Sequence, residues 1–341
     1  MIARFFHGWE RRLASVATNR VARPFEWGVE WLADQHLPGG DPRQVLQDWG
    51  ETTVARSDEF YAVTPAADAV LAGDMLTFTS AIETPHPDNN TVRARYFPDP
   101  SARGRKRAVL VMAQWNSDAE GHVGLCRLLN RFGISALRLS LPYHDARMPP
   151  ELMRADYIVS ANVGRTAQVC RQAVLDARRA IAWLHSQGYE RIGVLGTSLG
   201  SCLAMLTTAH EPLVNAAALN HISPYFADVV WSGLSTMHVR ETLEGNVTLD
   251  ELRRMWLPIS PLPVLERLRG REILLVYALY DLTFPVDLSR VLVDAFRNAA
   301  VSHELMVLPC GHYSTGVTPF KWMDGLRLCR FLNRALSVRG T

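Results

Sequence analysis

Ile192-Gly193-Val194-Leu195-Gly196-Thr197-Ser198-Leu199-Gly200-Ser201 runs from an apolar stretch, through glycines two before and two after a serine, into Cys202-Leu203-Ala204-Met205-Leu206. The opening residues read as a buried strand and the closing ones as the start of a helix. Glycine at 196 and 200 removes side chains that would collide in a tight strand-to-helix turn, where the serine takes strained backbone angles. Such a turn lifts the Ser198 hydroxyl above the sheet, which makes it the candidate nucleophile. The competing reading is a structural serine in a glycine-rich connection. A serine hydroxyl is a poor nucleophile at neutral pH, so a base must take its proton and donors must hold the oxyanion that forms.

Outward from this turn, short apolar runs alternate with longer helical patterns. Strands are predicted over 108–112, 136–139, 192–195, 216–219, 273–279 and 305–308. Helices are predicted over 121–132, 166–185, from 199 onward, 288–298 and 322–336. This alternation implies an α/β fold with a mostly parallel sheet flanked by helices and a site at the carboxyl ends of its strands. Before it, 76–82, a polar turn at 87–90 and 92–97 read as a β-hairpin. Two long segments break the rhythm, as lids and binding loops do: 141–165, with Pro142, Pro149 and Pro150, and 223–270. The second carries Tyr225, Phe226, Trp231, Met237, Met255 and Trp256, and predicts an apolar helical cap insertion. Residues 1–70 read as an N-terminal helical extension, and 71–341 as the catalytic domain.

In a strand-turn-helix of this G-x-S-x-G kind, the acid and then the histidine follow the serine along the chain. His312 fits the base: it comes late, in a loop after the 305–308 strand, with Gly311 freeing the backbone before it. The carboxylate that orients the imidazole is expected at the end of the preceding strand. Asp281 stands there, 31 residues before His312, and Asp287 is the runner-up, better suited to capping a helix. One oxyanion donor is the N–H of Leu199, directly after the nucleophile. The other is expected in the loop 113–121 after the first central strand, from Trp115 or, next, Gln114. His221, Tyr143 and Trp231 are the candidates for lining the substrate pocket. No metal-ligand spacing or cofactor motif is present, so neither is expected.

The residues from Leu76 onward resemble the α/β-hydrolase superfamily. Within it, Gln172-Ala173-Val174-Leu175-Asp176-Ala177-Arg178-Arg179-Ala180-Ile181-Ala182-Trp183-Leu184, followed by Tyr189-Glu190-Arg191-Ile192-Gly193-Val194, is similar to the dienelactone hydrolase and acetyl xylan esterase branch. Leu141-Pro142-Tyr143-His144-Asp145-Ala146-Arg147-Met148-Pro149 is also similar to a further branch of α/β-hydrolase domain proteins. The resemblance implies the α/β-hydrolase fold and a serine esterase, cleaving carboxylic esters through an acyl-enzyme without a cofactor. Acyl transfer on the same triad, or a non-catalytic scaffold keeping the fold, are the alternatives. Many relatives carry His-Gly where this chain has Ala113-Gln114, and a second glycine where it has Ser201. The dienelactone hydrolases proper use a cysteine nucleophile, so their substrate is not implied.

Composition sets the outer bounds. The chain has 341 residues, 48% hydrophobic and 21% charged, which suits a globular protein with a large core. A formal net charge of +2 gives no case for nucleic acid as a partner, because displacing phosphate counterions needs a strong positive excess. The five cysteines are scattered without a C-x-x-C pair, and read as reduced core thiols. The first residues lack the apolar core of a signal peptide, and with no 18-residue apolar run a cytoplasmic protein is expected. Four of the nine tryptophans fall in the first 50 residues, with Ile2, Phe5, Phe6, Trp9, Leu13 and Val16 at helical spacing between arginines. That region is expected to pack on the main domain or on a second copy of the chain; a peripheral membrane contact is the sharper alternative.

Overall fold

The computed structural model describes residues 1–100 and 106–337. It begins with helices α1 (Ile2–Ala14), α2 (Pro42–Ala55) and α3 (Ser57–Phe60), with a 3-10 segment, Val29–Gln35, between the first two. α2 starts where the sequence provides for it: the Asp41 carboxylate accepts from the Arg43 N–H and Pro42 supplies a pre-set first turn. Strands β1 (Val70–Ala72), β2 (Met75–Thr79) and β3 (Thr91–Phe97) then form an antiparallel meander, which contains the predicted hairpin. Alternation follows as β4 (Lys106–Met112), α4 (Val123–Arg131), β5 (Ser135–Leu139), α5 (Val163–Ser186), β6 (Tyr189–Thr197), α6 (Leu199–His210) and β7 (Val214–Asn220). Short helices α7 (Phe226–Ser232), α8 (Met237–Leu243) and α9 (Leu249–Met255) make up the insertion. The chain closes with β8 (Glu272–Ala278), α10 (Val286–Asn298), β9 (Glu304–Leu308) and α11 (Phe320–Leu336).

Among the described residues the strands form one sheet in the order β1-β2-β3-β5-β4-β6-β7-β8-β9. β3 meets β5 antiparallel, and every pair from β5 across to β9 is parallel. The central strand β4 shows why both faces need cover. Ala108, Leu110 and Met112 enter the core beneath α5, α6 and α10, while Val109 and Val111, pointing the other way, pack with residues of α4 and α11. This is the mostly parallel, doubly covered sheet that the alternation predicts.

Residues 1–70 share that first core. Leu32, Leu46, Trp49, Phe60 and Tyr61 are buried in it, and the Tyr61 hydroxyl donates to Pro258 O. Their presence explains the polar residues buried along α5: Arg171 Nε donates to Phe60 O, and Gln168 Nε2 to Asp34 Oδ1. The insertion is helical, as predicted, but its last residues turn inward. Trp256 is fully buried and donates its indole N–H to Val163 O.

The stretch 141–149 is core rather than lid. Arg147 is fully buried, and its guanidinium donates to Ser140 O, Asn89 O and Asp176 Oδ2. A desolvated ion pair of this kind persists because its donors are satisfied. Tyr143, expected at the substrate pocket, belongs to this layer: it is fully buried, with its hydroxyl 3.0 Å from His86 Nδ1. That expectation is therefore corrected. All five cysteines are buried and unpaired, and burial pushes the Cys126 and Cys329 thiols up to about 12. No helix among the described residues is long and apolar enough to cross a membrane.

Candidate active site

Ser198 occupies the turn between β6 and α6 with φ 57° and ψ −121°, a strained conformation for a residue with a side chain. The flanking glycines are required by contact. A Cβ on Gly196 would lie 2.0 Å from Gly200 O, and one on Gly200 would lie 2.2 Å from Met112 O and 2.6 Å from Ala113 O. The start of α6 is thus pressed against the end of β4, which brings the Leu199 N–H beside the loop 113–116. The N–H groups of Leu199, Gln114 and Trp115 donate to no acceptor among the described residues, as an oxyanion site requires. Ser201 braces the turn: its hydroxyl is 2.7 Å from Ser198 O and 2.6 Å from His221 O.

His312 follows β9 and Asp281 follows β8, both at the carboxyl edge of the sheet. Asp281 Oδ2 accepts from His312 Nδ1 at 2.9 Å, while Oδ1 accepts from the Thr283 and Phe284 N–H groups at 2.8 and 2.7 Å. Burial works to raise the Asp281 pKa, but the charge and hydrogen bonds of His312 and His221 outweigh it and hold the carboxyl well below its usual range. An ionised carboxylate only accepts, so His312 Nδ1 carries the hydrogen it shares with Asp281, and Nε2 is the ring nitrogen left to exchange a proton with a substrate or nucleophile. The Phe284 ring stacks on His312 with centroids 5.4 Å apart. Asp287, the runner-up, is exposed in the first turn of α10 and pairs with Arg290.

His221 does more than line the pocket. Its Nδ1 donates to the same Asp281 Oδ2 at 2.8 Å, and its ring centroid is 4.4 Å from that of His312. Two imidazoles thus share one carboxylate oxygen. His221, Asp281 and His312 could each offer a metal-ligand atom, all within 4.8 Å of one another. The two Nδ1 atoms are occupied as donors to Asp281, which leaves them no lone pair for a metal.

A cavity of about 720 Å³ opens above the carboxyl edge. Ser198, His312, His221, Leu199, Gln114 and Trp115 all line it, joined by Phe226, Val229 and Val230 from α7 and Leu125 and Leu128 from α4. Trp231 does not line it. Phe226, Val229 and Val230 form one i, i+3, i+4 face of α7, whereas Trp231 lies on another face, with the Arg240 guanidinium 5.6 Å from its ring. The expectation for Trp231 is corrected accordingly.

Several participants are not legible in sequence. His144 Nε2 accepts from the Asn116 N–H at 3.0 Å, and its Nδ1 faces Pro142 O at 2.9 Å, so a neutral imidazole fixes the loop that carries Gln114 and Trp115. Burial pushes His144 down to about 4, consistent with that neutral form. His122 lines the cavity with Nε2 2.9 Å from Thr197 Oγ1. The least expected is Glu10 of α1. It is fully buried, and its carboxylate accepts from the Tyr313 N–H at 2.8 Å, the Ser314 N–H at 2.9 Å and the Ser314 hydroxyl at 2.7 Å. A Cβ on Gly311 would lie 2.3 Å from Glu10 Cδ, so glycine there makes room for this carboxylate as well as for the turn. The N-terminal helix thereby holds the loop that presents His312.

Glu10→Ala is expected to cost about 3 kcal/mol of stability, because it strands buried N–H donors. It is also expected to lower kcat through the loosened loop. Thermal melting and ester turnover measured together check this, and an unchanged melting temperature and kcat would contradict it. Asp324, also on the cavity wall, accepts from Asn220 Nδ2 at 2.9 Å, and burial raises its carboxyl to about 6. Its folded pKa lies above its unfolded value of 3.8, so the stability it contributes is lost as pH rises from that value to about 6. Asp324→Asn is expected to stabilise the protein, with a gain over wild type about 1 kcal/mol larger at pH 7 than at pH 5. Denaturant unfolding at the two pH values measures it; a pH-independent gap would contradict it.

Solved structures share this architecture. Acetyl xylan esterase 1 from Thermoanaerobacterium sp. JW/SL YS485 matches with a TM-score of 0.62 at 15% identity, over 86% of this chain and 98% of the esterase. An acylaminoacyl peptidase from Pyrococcus horikoshii matches at 0.60 and 15% identity, over 78% of this chain but only 42% of the peptidase. A Pyrococcus furiosus esterase matches at 0.54 and 15% identity, over 77% of this chain and 91% of the esterase. No family model matches the chain, and no curated protein matches it by sequence. The likeness establishes the α/β-hydrolase fold.

Proposed function

We propose that this chain, with its α/β-hydrolase fold, is a serine esterase that cleaves carboxylic esters through an acyl-enzyme. One observation carries the reading: a single cavity is lined both by Ser198, in its strained turn, and by His312, whose Nδ1 is bound to the buried Asp281. In the proposed reaction Ser198 Oγ attacks the ester carbonyl carbon while His312 Nε2 takes its proton. The Leu199 and Trp115 N–H groups stabilise the tetrahedral oxyanion. Collapse breaks the carbon–alkoxide bond, and His312 returns the proton to the departing alcohol. Water, deprotonated by the same imidazole, then attacks the acyl carbon; collapse breaks the bond to Ser198 Oγ, His312 returns the proton to that oxygen, and the carboxylic acid is released. The solved structures titled esterases support this chemistry, as do the Thr283 and Phe284 N–H groups that fix the Asp281 carboxylate.

The leucines and valines of α4 and α7 favour an acyl chain over bare acetyl. Across p-nitrophenyl esters from acetate to hexanoate, kcat/KM is expected to rise by up to about fourfold per methylene, from about 0.8 kcal/mol per buried CH₂. A pre-steady-state burst of p-nitrophenol matching the enzyme concentration is expected alongside. Absence of turnover on every chain length would contradict the esterase reading, and a preference for acetate would contradict the apolar acyl pocket.

A further inference from the structure

One part of the cavity wall carries more positive charge than the chain neutralises. Arg20, from the segment after α1, and Arg154, from the connection before α5, both line the cavity. Arg20 donates through Nη2 to Ala14 O at 2.9 Å and to the Tyr313 hydroxyl at 3.3 Å. Its Nε is buried without an acceptor, and no carboxylate pairs with it among the described residues. Arg154 donates through Nη1 to Asn19 Oδ1 at 3.1 Å, while its Nε stands 3.5 Å from Asp156 Oδ1 without forming a hydrogen bond. Asp156 is shared with Arg23, at 3.1 Å. Arg154 and Arg23 therefore share one carboxylate, and Arg20 has none among the described residues.

The Arg154 side chain is only 8% exposed, and keeping a buried cation short of counter-charge is costly unless something else supplies it. The cavity's own acids do not. Glu120 pairs with Arg95, and Asp324 bonds to Asn220. Nearby, both ring nitrogens of His238 are buried without partners, and the ring stacks on Trp115 with centroids 5.9 Å apart. Burial, then the charges of Arg154 and Arg20, push that imidazole down to about 4, so it adds no charge of its own there.

We propose that Arg20 and Arg154 form an anion subsite, and that the substrate is an ester carrying a carboxylate or phosphate group besides its scissile bond. The proposal rests on the esterase reading and gives its substrate class. Position supports it. The Arg154 guanidinium lies 5.1 Å from the centroid of Trp115, whose N–H is the oxyanion donor, and Arg20 holds Tyr313, next to His312. An anionic group bound there shares the cavity with Ser198 and His312. The planar forks of the two arginines suit carboxylate or phosphate oxygens.

The test compares ester pairs that differ in one charge. On the acyl side, mono-p-nitrophenyl glutarate is set against p-nitrophenyl methyl glutarate. On the alcohol side, the butyrate esters of 4-hydroxybenzoate and of 4-hydroxyphenyl phosphate are set against that of methyl 4-hydroxybenzoate. The readout is the anionic-to-neutral ratio of kcat/KM in wild type divided by that in Arg154→Met and Arg20→Met, which cancels intrinsic reactivity. At least one anionic probe is expected to lose tenfold or more of its ratio in both variants. Whether the carboxylate or phosphate probe responds identifies the anion. Should Arg154→Met fail to fold, Arg20→Met, at a half-buried position, carries the comparison, together with a wild-type ratio expected to fall between 50 and 500 mM NaCl. Ratios unchanged by substitution and by salt for all probes would overturn the subsite while neutral-ester turnover left the esterase reading standing. No turnover of any probe, with no labelling of Ser198 by a fluorophosphonate, would overturn both.

Discussion

Ser198→Ala is expected to lower kcat for a p-nitrophenyl ester by about 10⁵-fold, to the residual rate that binding and the oxyanion donors provide alone. The effect is this large because covalent attack has no substitute: Leu199 has no hydroxyl, and that of Thr197 bonds to His122 rather than to His312. The loss is also expected to be clean. The Ser198 hydroxyl makes no capping bond to α6, and the turn is held instead by its backbone, with Ser198 N–H on Asn220 O at 2.8 Å. The melting temperature and KM are therefore expected to stay near wild type while kcat collapses. A variant retaining more than a hundredth of wild-type kcat would contradict Ser198 as nucleophile.

Asp281→Asn is expected to lower kcat by about 10⁴-fold. The carboxylate presents acceptors in both directions, Oδ1 to two backbone N–H groups and Oδ2 to two imidazole Nδ1 atoms. An asparagine has one acceptor oxygen and one NH₂. If its oxygen faces Thr283 and Phe284, its NH₂ confronts both histidines. His312 then moves its proton to Nε2, the nitrogen that should receive the Ser198 proton, and the base is lost. If the amide turns round, two buried N–H groups are stranded, at about 1–3 kcal/mol each. Both orientations cost, so the variant is expected to lose stability as well as activity. The rate of labelling by a fluorophosphonate should fall in step with kcat. A fall in kcat of less than tenfold would contradict Asp281 as the partner of His312.

The sequence exposes the parts of the fold that obey a period or a local rule. The runs 108–112 and 192–195 are continuous and apolar because β4 and β6 are covered on both faces, and they locate the parallel sheet. Gly196 and Gly200 announce the Ser198 turn because backbone oxygens occupy the space of their missing side chains. His312 and Asp281 can be placed because each follows a strand in chain order. What sequence cannot reach is set by distant contacts. Tyr143, in a proline-rich stretch read as a lid or binding loop, belongs to a buried layer organised by Arg147 and Asp176. Trp231 looks like a pocket wall until the α7 helix fixes which face meets the cavity. Glu10 lies 302 positions before His312, and its burial follows only from the packing of α1 on the Gly311–Ser314 loop. His221 looks like one more lining residue until its Nδ1 is found on the same oxygen as that of His312.

The central claim is that Ser198 is a nucleophile activated by His312 and Asp281. Incubation of the protein with a fluorophosphonate, followed by peptide mass spectrometry, tests it most directly, because the probe reacts with an activated serine whatever the natural ester. One adduct per chain is expected, on Ser198, absent from Ser198→Ala and formed far more slowly in Asp281→Asn. Wild-type protein that remains unlabelled, or an adduct on another serine that persists in Ser198→Ala, would contradict it.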